Sequence, residues 1–580
     1  MSLYHEAASI LDETCKKKCS IKSLVYTTKK GKEWKSDPKA LFALSTEAAK
    51  WSEVLAEVVG RSGVLGVERT LSPTLALVLT YDLFLSKRGI ALPASHGLNT
   101  AVSKHKARLS AELTKARLRR GCATLDELRV KVNDGALAAS DGTDGQRKVT
   151  RHPRWVRINT LKTTLEEQLD WKFAEWQAVP TLREVLEVSS SREQVYHVDE
   201  HIPNLIAIPS GADITTSVAY RTGDLILQDK ASCFPAYLLN PQAGEGDVVD
   251  ACAAPGNKTT HLAAVLAESN AHRQTNSTHS GRIIACEKDA ARSETLEKMI
   301  KLAGAAEVVT VKAKQDFTKL PPTARVAANI SALLLDPSCS GSGMVGRDEG
   351  SGITVHLPST TPDVPAGRGK KRKRTASAAA SKPLAPSPQV DDAAEEQVPI
   401  PDSADDTAEK LTARLANLAA FQLRLLEHAM AFPAARRIVY STCSIHPEEN
   451  EHVVVAALRS EVAREMGWRV LRRSEQVVGM REWHLRGLRG AVEGAVRFRV
   501  DGEENGSKAE MDVEEVAEAC LRCDKHGEEG TMGFFVVGFV RNAGEMSASN
   551  GNGGAAVASS NGESSKDSEG DDEAWEGFTD

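Results

Sequence analysis

The chain has 580 residues, of which 41% are hydrophobic and 26% charged, a composition of soluble globular proteins with some polar excess. Its longest apolar runs, such as Ile330–Leu335 and Phe534–Val540, fall far short of the roughly 20 residues that span a bilayer, and its first residues lack a secretory apolar core. Ten scattered cysteines argue for free thiols in a reducing compartment, so neither a membrane protein, a secreted disulfide scaffold nor a fibrous chain is expected.

The net charge of −6 hides an asymmetry. Residues 1–150 carry 25 Lys/Arg against 16 Asp/Glu, and the tail from Ala543 carries one Lys against nine acids. A basic N-terminal part with a detached acidic tail suits a nucleic-acid binder, although a solvated helical surface explains the same charge.

In chain order, residues 1–150 read as a helical, basic region. Apolar spacing is close to 3.6 in Glu47–Val59 and Leu71–Leu85, Lys104–Arg120 reads as a basic helix, and Asn133–Gly145 has the composition of a linker. Residues 151–222 show short strand-like runs at Trp155–Ile158, Val195–Val198 and Leu205–Ile208, which predict a small α+β module. From Gly223 to 545, strand-like runs at Asp247–Ala251, Arg282–Cys286, Val308–Val311, Ala332–Asp336 and Arg437–Ser441 alternate with helical stretches. This alternation predicts an α/β domain with a Rossmann-like parallel sheet and helices on both faces, closed by an antiparallel strand at Gly533–Val540. Within it, residues 346–407 are rich in Pro, Ala, Ser and acids, carry a basic cluster at 370–374, and read as a disordered insertion; 546–580 read as an acidic disordered tail.

The chemistry concentrates at predicted strand ends. Asp250-Ala-Cys252-Ala253-Ala254-Pro255-Gly256-Asn257-Lys258 follows one strand and opens a helix, so small residues bring backbone amides close to a ligand at a helix N-terminus. It is neither a dinucleotide fingerprint nor a phosphate-binding Walker loop. The next strand ends at Glu287, an acid placed to accept hydrogen bonds from both hydroxyls of a ribose, or an ordinary surface acid. Two further strands end in Asp336-Pro-Ser-Cys339-Ser-Gly-Ser-Gly and Tyr440-Ser-Thr-Cys443-Ser-Ile-His-Pro-Glu-Glu-Asn450. If those strands are adjacent and parallel, about 4.8 Å apart, both cysteines meet at one edge of the sheet. A lone cysteine is usually a small buried hydrophobe, but a matched pair in polar turns points to thiol chemistry, with a disulfide switch as an alternative. Metal spacing is absent, and Cys520-Leu-Arg-Cys523 reads as structural.

These four motifs, with ValArgIleAsnThrLeuLys at 156–162, LeuGlnAspLysAlaSer at 227–232 and GlyPhePheVal at 533–536, resemble those of the NOP/Sun family of RNA cytosine carbon-5 methyltransferases that use S-adenosylmethionine. The resemblance covers roughly 150–345 and 408–541. The order Asp-Pro-Ser-Cys, with Asn257 in the turn, resembles the branch that modifies large-subunit ribosomal RNA. The resemblance implies a class I methyltransferase sheet beside a small RNA-recognition-like module. It implies that Cys252–Lys258 wrap the methionine end of the cofactor, that Glu287 holds the ribose with Arg292 as a further contact, and that Asp316 faces the adenine. It places Asp336 between cofactor and target base, with Cys443 as nucleophile and Cys339 in product release.

Those groups suit the reaction. Carbon 5 of cytosine is a poor nucleophile, and adding a thiolate at carbon 6 makes it enamine-like, which splits one hard step into two. On the RNA side, Arg157, Asn159 and Lys162 are placed to meet phosphate and sugar, or, for Arg157 and Lys162, to form a solvated strand edge. The basic cluster at 370–374 reads as a nuclear or nucleolar address, or as a nonspecific RNA tether. A monomer acting on ribosomal RNA or pre-ribosomes, without a membrane or a metal, is expected. A ribosome-assembly factor whose binding role outweighs catalysis, and a protein or adenine methyltransferase on the same fold, are the alternatives.

Overall fold

The computed structural model describes residues 3–17, 21–26, 34–86, 88–140, 152–188, 193–272, 281–344, 354–358, 404–497 and 511–541. The basic cluster at 370–374 and the tail from 546 lie outside them.

The N-terminal region is helical, including α1 (Leu3–Lys17), α2 (Pro38–Lys50), α3 (Ser52–Ser62), α4 (Pro73–Phe84), α5 (Lys106–Arg119) and α6 (Leu125–Ser140). Local chemistry sets its boundaries. Asp37 and Ser72 accept from backbone amides of α2 and α4, each with Pro at the first helical position, and Gly63 ends α3 in the left-handed conformation. The stretch read as one helix over Glu47–Val59 is two helices that break at Trp51, whose ring is buried in the shared core with Leu55, Leu77 and Leu109. The linker read at Asn133–Gly145 is helical as far as Ser140. Charge on α5 is partly structural: Arg119 and Arg120 pair with Glu57 of α3, while Lys106 and Arg108 stay exposed.

The second region is a five-stranded sheet of order β2-β3-β4-β1-β5, built from β1 (Arg154–Ile158), β2 (Gln177–Ala178), β3 (Val195–Val198), β4 (Leu205–Ile208) and β5 (Leu225–Leu227). β5 lies past the boundary expected at 222 and belongs to this module, because Leu225–Leu227 pair antiparallel with Val156–Ile158.

The third region is an eight-stranded sheet ordered β11-β13-β10-β9-β6-β7-β8, with β12 (Leu521–Cys523) paired to β13. Its strands are β6 (Asp247–Asp250), β7 (Ile283–Glu287), β8 (Val309–Ala313), β9 (Ile330–Leu335), β10 (Arg437–Thr442), β11 (Arg469–Val470) and β13 (Phe534–Val540). β8, β7, β6, β9 and β10 run parallel, and β13 is antiparallel to β10. Helices α7 (Lys230–Leu239), α8 (Asn257–His272), α9 (Ala290–Ala303) and α10 (Ala404–Met430) accompany the strands. This is the Rossmann-like sheet expected. Alternate strand residues fill two cores, Val248, Leu334 and Val439 on one face and Val249, Leu333 and Ile438 on the other. The chain runs outward from β6 through β7 to β8, then returns to β9 on the other side of β6. Ligands bind at that reversal, outside the carboxyl ends of the strands.

The stretch read as a disordered insertion is structured at two places. Helix α10 begins at Ala404, inside the expected boundary of 407. Thr354–Pro358 docks on the N-terminal region: the Ser52 hydroxyl donates to Thr354 O (3.4 Å) and accepts from His356 N (3.0 Å), and Val355 packs against the helical core. Composition misses this because a few local contacts hold the segment: Val355, a buried Pro358, and hydrogen bonds between its backbone and the Ser52 hydroxyl and Cys15 thiol. Among the described residues, no helix is long and apolar enough to cross a membrane.

Candidate active site

The turn after β6 is fixed from below. Asp250, buried, accepts from the Thr259 hydroxyl (2.7 Å) and from Cys252 N (3.4 Å), and burial pushes its carboxyl up to about 6. Gly256 has φ +112°, and a Cβ there would meet Met299 and Leu296 of α9 at 3.0–3.1 Å, so glycine lets the turn approach that helix. Asn257 Nδ2 donates to Leu227 O (3.4 Å); its buried Oδ1 finds no donor among the described residues.

Glu287, 4% exposed at the end of β7, accepts from Asp289 N (3.0 Å). Arg292 on α9 reaches Ala254 O (2.7 Å) and lies 3.6 Å from Glu287, tying the first turn to the second strand end. Asp316 caps a short turn after β8, accepting from the Thr318 amide and hydroxyl; although burial opposes this, those bonds hold its carboxyl below its usual value.

β9 and β10 run side by side with Leu335 opposite Tyr440, so the residues that follow converge. The Ser441 hydroxyl donates to Asp336 Oδ1 (2.8 Å), and Lys258 Nζ donates to Asp336 Oδ2 (2.8 Å). The Lys258 ammonium thus lies on Asp336 and over the Phe534 ring, 5.4 Å from the centroid. Burial opposes its charge, but Asp336 and Asp250 outweigh burial and raise its pKa. Neither this pair nor the Ser441 contact is legible in the motif, because each depends on strand register.

The sulfurs of Cys339 and Cys443 lie 3.0 Å apart, both as free thiols. A disulfide is about 2.05 Å long, so this is a hydrogen-bonded contact. The Cys443 sulfur first, then burial, pushes the Cys339 thiol far above its ordinary value. Backbone bonds hold the loops together: Gly343 N donates to Cys443 O (3.0 Å) and Gly533 N to Gly343 O (2.8 Å). A Cβ on Gly343 would lie 2.0 Å from Gly533 O, so the junction requires glycine. The structure therefore brings together Cys252–Lys258, Glu287 with Arg292, Asp336, Cys339 and Cys443 along the carboxyl ends of β6, β7, β9 and β10.

Two residues expected to meet RNA are interior. Arg157 is 1% exposed and donates to Gln228 Oε1 (2.8 Å) and Thr260 Oγ1 (2.9 Å); burial pushes its guanidinium down to about 10. Asn159, fully buried, donates to Gly223 O (2.8 Å) and Ala303 O (2.9 Å). Both join the module to helices α8 and α9 of the third region, because the face of β1 that carries them is turned inward. Lys162 is exposed, with Nζ on Thr222 O (2.7 Å). Cys520 and Cys523 are buried, and among the described residues no group of three or more His, Cys, Asp or Glu side chains could hold a metal ion.

Comparison with known proteins matches residues 39–128 to the N-terminal domain of NOL1/NOP2/Sun domain family member 5, 152–228 to the ferredoxin-like domain of that family member, and 236–356 to the 16S rRNA methyltransferase RsmB/F family. The 25S rRNA (cytosine-C(5))-methyltransferase rcm1 of Schizosaccharomyces pombe is 35% identical over 538 residues, covering 92% of this chain and 90% of that one. The 28S rRNA (cytosine-C(5))-methyltransferase of Mus musculus is 34% identical over 462 residues, covering 79% and 81%. A solved methyltransferase homologue from Pyrococcus horikoshii aligns over 70% of this chain and 90% of its own, at 19% identity and a TM-score of 0.41. With a shared sequence that extends over nearly the whole of a relative's length, the chain belongs to the NOL1/NOP2/Sun domain family of methyltransferases, in the branch of family member 5.

Proposed function

We propose that this protein methylates carbon 5 of a cytosine in large-subunit ribosomal RNA, with Cys443 as covalent nucleophile and S-adenosylmethionine as donor. The observation that carries the reading is the pair of free thiols 3.0 Å apart beside an Asp336 carboxylate held by Lys258 and Ser441. An adenine or protein methyltransferase needs no such thiols. The relatives named above, which act on 25S and 28S rRNA, support the substrate.

The residues fit the donor. The small-residue turn Cys252–Asn257 offers backbone groups to the methionine end, and Glu287 offers a carboxylate to a ribose diol. Bound there, S-adenosylmethionine supplies an electrophilic methyl group. Arg292 supports both contacts from α9, and Asp316 stands at the next strand end for the adenine.

The Cys443 thiolate adds to carbon 6 of the cytosine, and its electron pair moves through the ring to make carbon 5 nucleophilic. As charge builds during addition, a proton from the Lys258–Asp336 pair passes through Asp336 to the ring nitrogen, Asp336 accepts from the exocyclic amine, and the proton returns to the pair when the carbon–sulfur bond breaks. Cys339, held as a thiol, donates to the Cys443 sulfur. After methylation a base beside Cys339 takes the proton from carbon 5, and the carbon–sulfur bond breaks to restore the ring and the Cys443 thiolate. The target base must leave its stack to enter, which favours single-stranded or assembly-stage RNA. The place of work is then the nucleus, and within it the nucleolus.

Cys443→Ala abolishes methylation and adduct, while Cys339→Ala retains methyl transfer and accumulates a denaturant-stable protein–RNA adduct. The reverse pattern overturns the assignment. Bisulfite sequencing of ribosomal RNA with and without the protein shows one large-subunit cytosine losing its methyl group; an unchanged large subunit overturns the substrate.

A further inference from the structure

Cys339 lies on a loop of small residues, Ser338 to Gly343, that has little side chain of its own to pack. Two buried residues from elsewhere in the chain hold both peptide groups that flank it. Gln422, on α10, donates from Nε2 to Ser338 O (3.1 Å), the carbonyl of the peptide preceding Cys339, and to Glu449 Oε1 (3.0 Å). Glu449 Oε1 also accepts from Ser340 N (2.9 Å), the amide of the peptide following Cys339. Both side chains are fully buried.

Glu449 is anchored in turn. Its carbonyl accepts from the Tyr440 hydroxyl (2.6 Å), and neighbouring Asn450 accepts from Thr442 (2.6 Å) and donates to Ser444 O (3.0 Å). The carboxylate that grips the Cys339 loop is therefore bolted to the strand that ends in Cys443. Among the described residues Glu449 makes no ion pair, and its Oε2 finds no donor. A buried carboxylate costs free energy and is kept where its hydrogen bonds define a geometry.

We propose that Glu449 and Gln422 are positioning residues that hold the Cys339 sulfur against Cys443 and so set the rate of product release. This rests on the role given above to Cys339. Neither side chain reaches the surface; each acts through the backbone on either side of Cys339. Displacing a reacting group by about 1 Å costs on the order of 100-fold.

The test uses the full chain with total ribosomal RNA from cells lacking the protein, and follows single-turnover methyl transfer and the decay of the denaturant-stable adduct. In Glu449→Ala and Gln422→Ala, methyl transfer stays near the wild-type rate and adduct decay slows on the order of 10- to 100-fold. Glu449→Gln, which keeps the accepting oxygen, restores decay. An unchanged adduct lifetime in both alanine variants, or methyl transfer and Tm falling together with no longer-lived adduct, overturns the positioning role. Gln422→Ala decides the matter if Glu449→Ala does not fold. If Cys339→Ala fails to prolong the adduct, the role of Cys339 falls; if it prolongs the adduct and the alanine variants do not, only the positioning role falls.

Discussion

At the scale of single residues, Lys258 shows how one motif serves two ligands. Its neighbours in the turn are proposed to face the donor, while its own ammonium sits on Asp336. Lys258→Met therefore lowers kcat by about 10²–10³, the usual loss for one electrostatic stabiliser, and leaves donor affinity nearly unchanged, whereas Glu287→Gln weakens donor binding first. Methylation kinetics with a separate donor titration distinguish the two. Asp250 makes a pH signature. Its folded-state carboxyl, raised by burial to about 6 from an ordinary value of 3.8, contributes stability that is fully present below the lower value and lost as pH rises through the upper one. Asp229, also raised by burial to about 6, acts in the same window. Asp250→Asn thus reduces, without removing, the fall in stability over that range, measured as urea midpoints against pH.

At the scale of elements, strand β1 carries the sharpest lesson. The run ValArgIleAsnThrLeuLys holds polar residues of the kind that contact RNA, and the period of a strand says that alternate side chains share a face. It does not say which face is covered. Helix α8 covers the face with Arg157, and Asn159 caps two backbone carbonyls at the junction, one of them at the end of α9. Asn159→Ala leaves Gly223 O and Ala303 O buried without a donor and destabilises the protein by about 1–3 kcal/mol in denaturant unfolding. The salt dependence of RNA binding stays at its wild-type slope, as it would not if Asn159 met the backbone of RNA.

At the scale of the whole molecule, the N-terminal helices and the large sheet are far apart in sequence, yet Thr354–Pro358 from within the large domain docks on α3. Val355→Asp places a charge against the helical core, frees the segment, and makes its peptide bonds sensitive to limited proteolysis, while the Tm of the large domain is preserved. Persistent protection of this segment in the variant would show that contacts other than Val355 hold it.

The order of small-residue turns and acids along the chain was enough to propose a donor site at strand ends and to bring a thiol pair together there. Hydrophobic alternation and turn chemistry are local properties that survive in any single sequence. Tertiary structure alone decided that Lys258 and Ser441 share Asp336, that Arg157 and Asn159 are mortar, and that Gln422 and Glu449 grip the Cys339 loop. Each of those depends on strand register or on which face a neighbouring element covers, and that is settled by packing between residues tens to hundreds of positions apart.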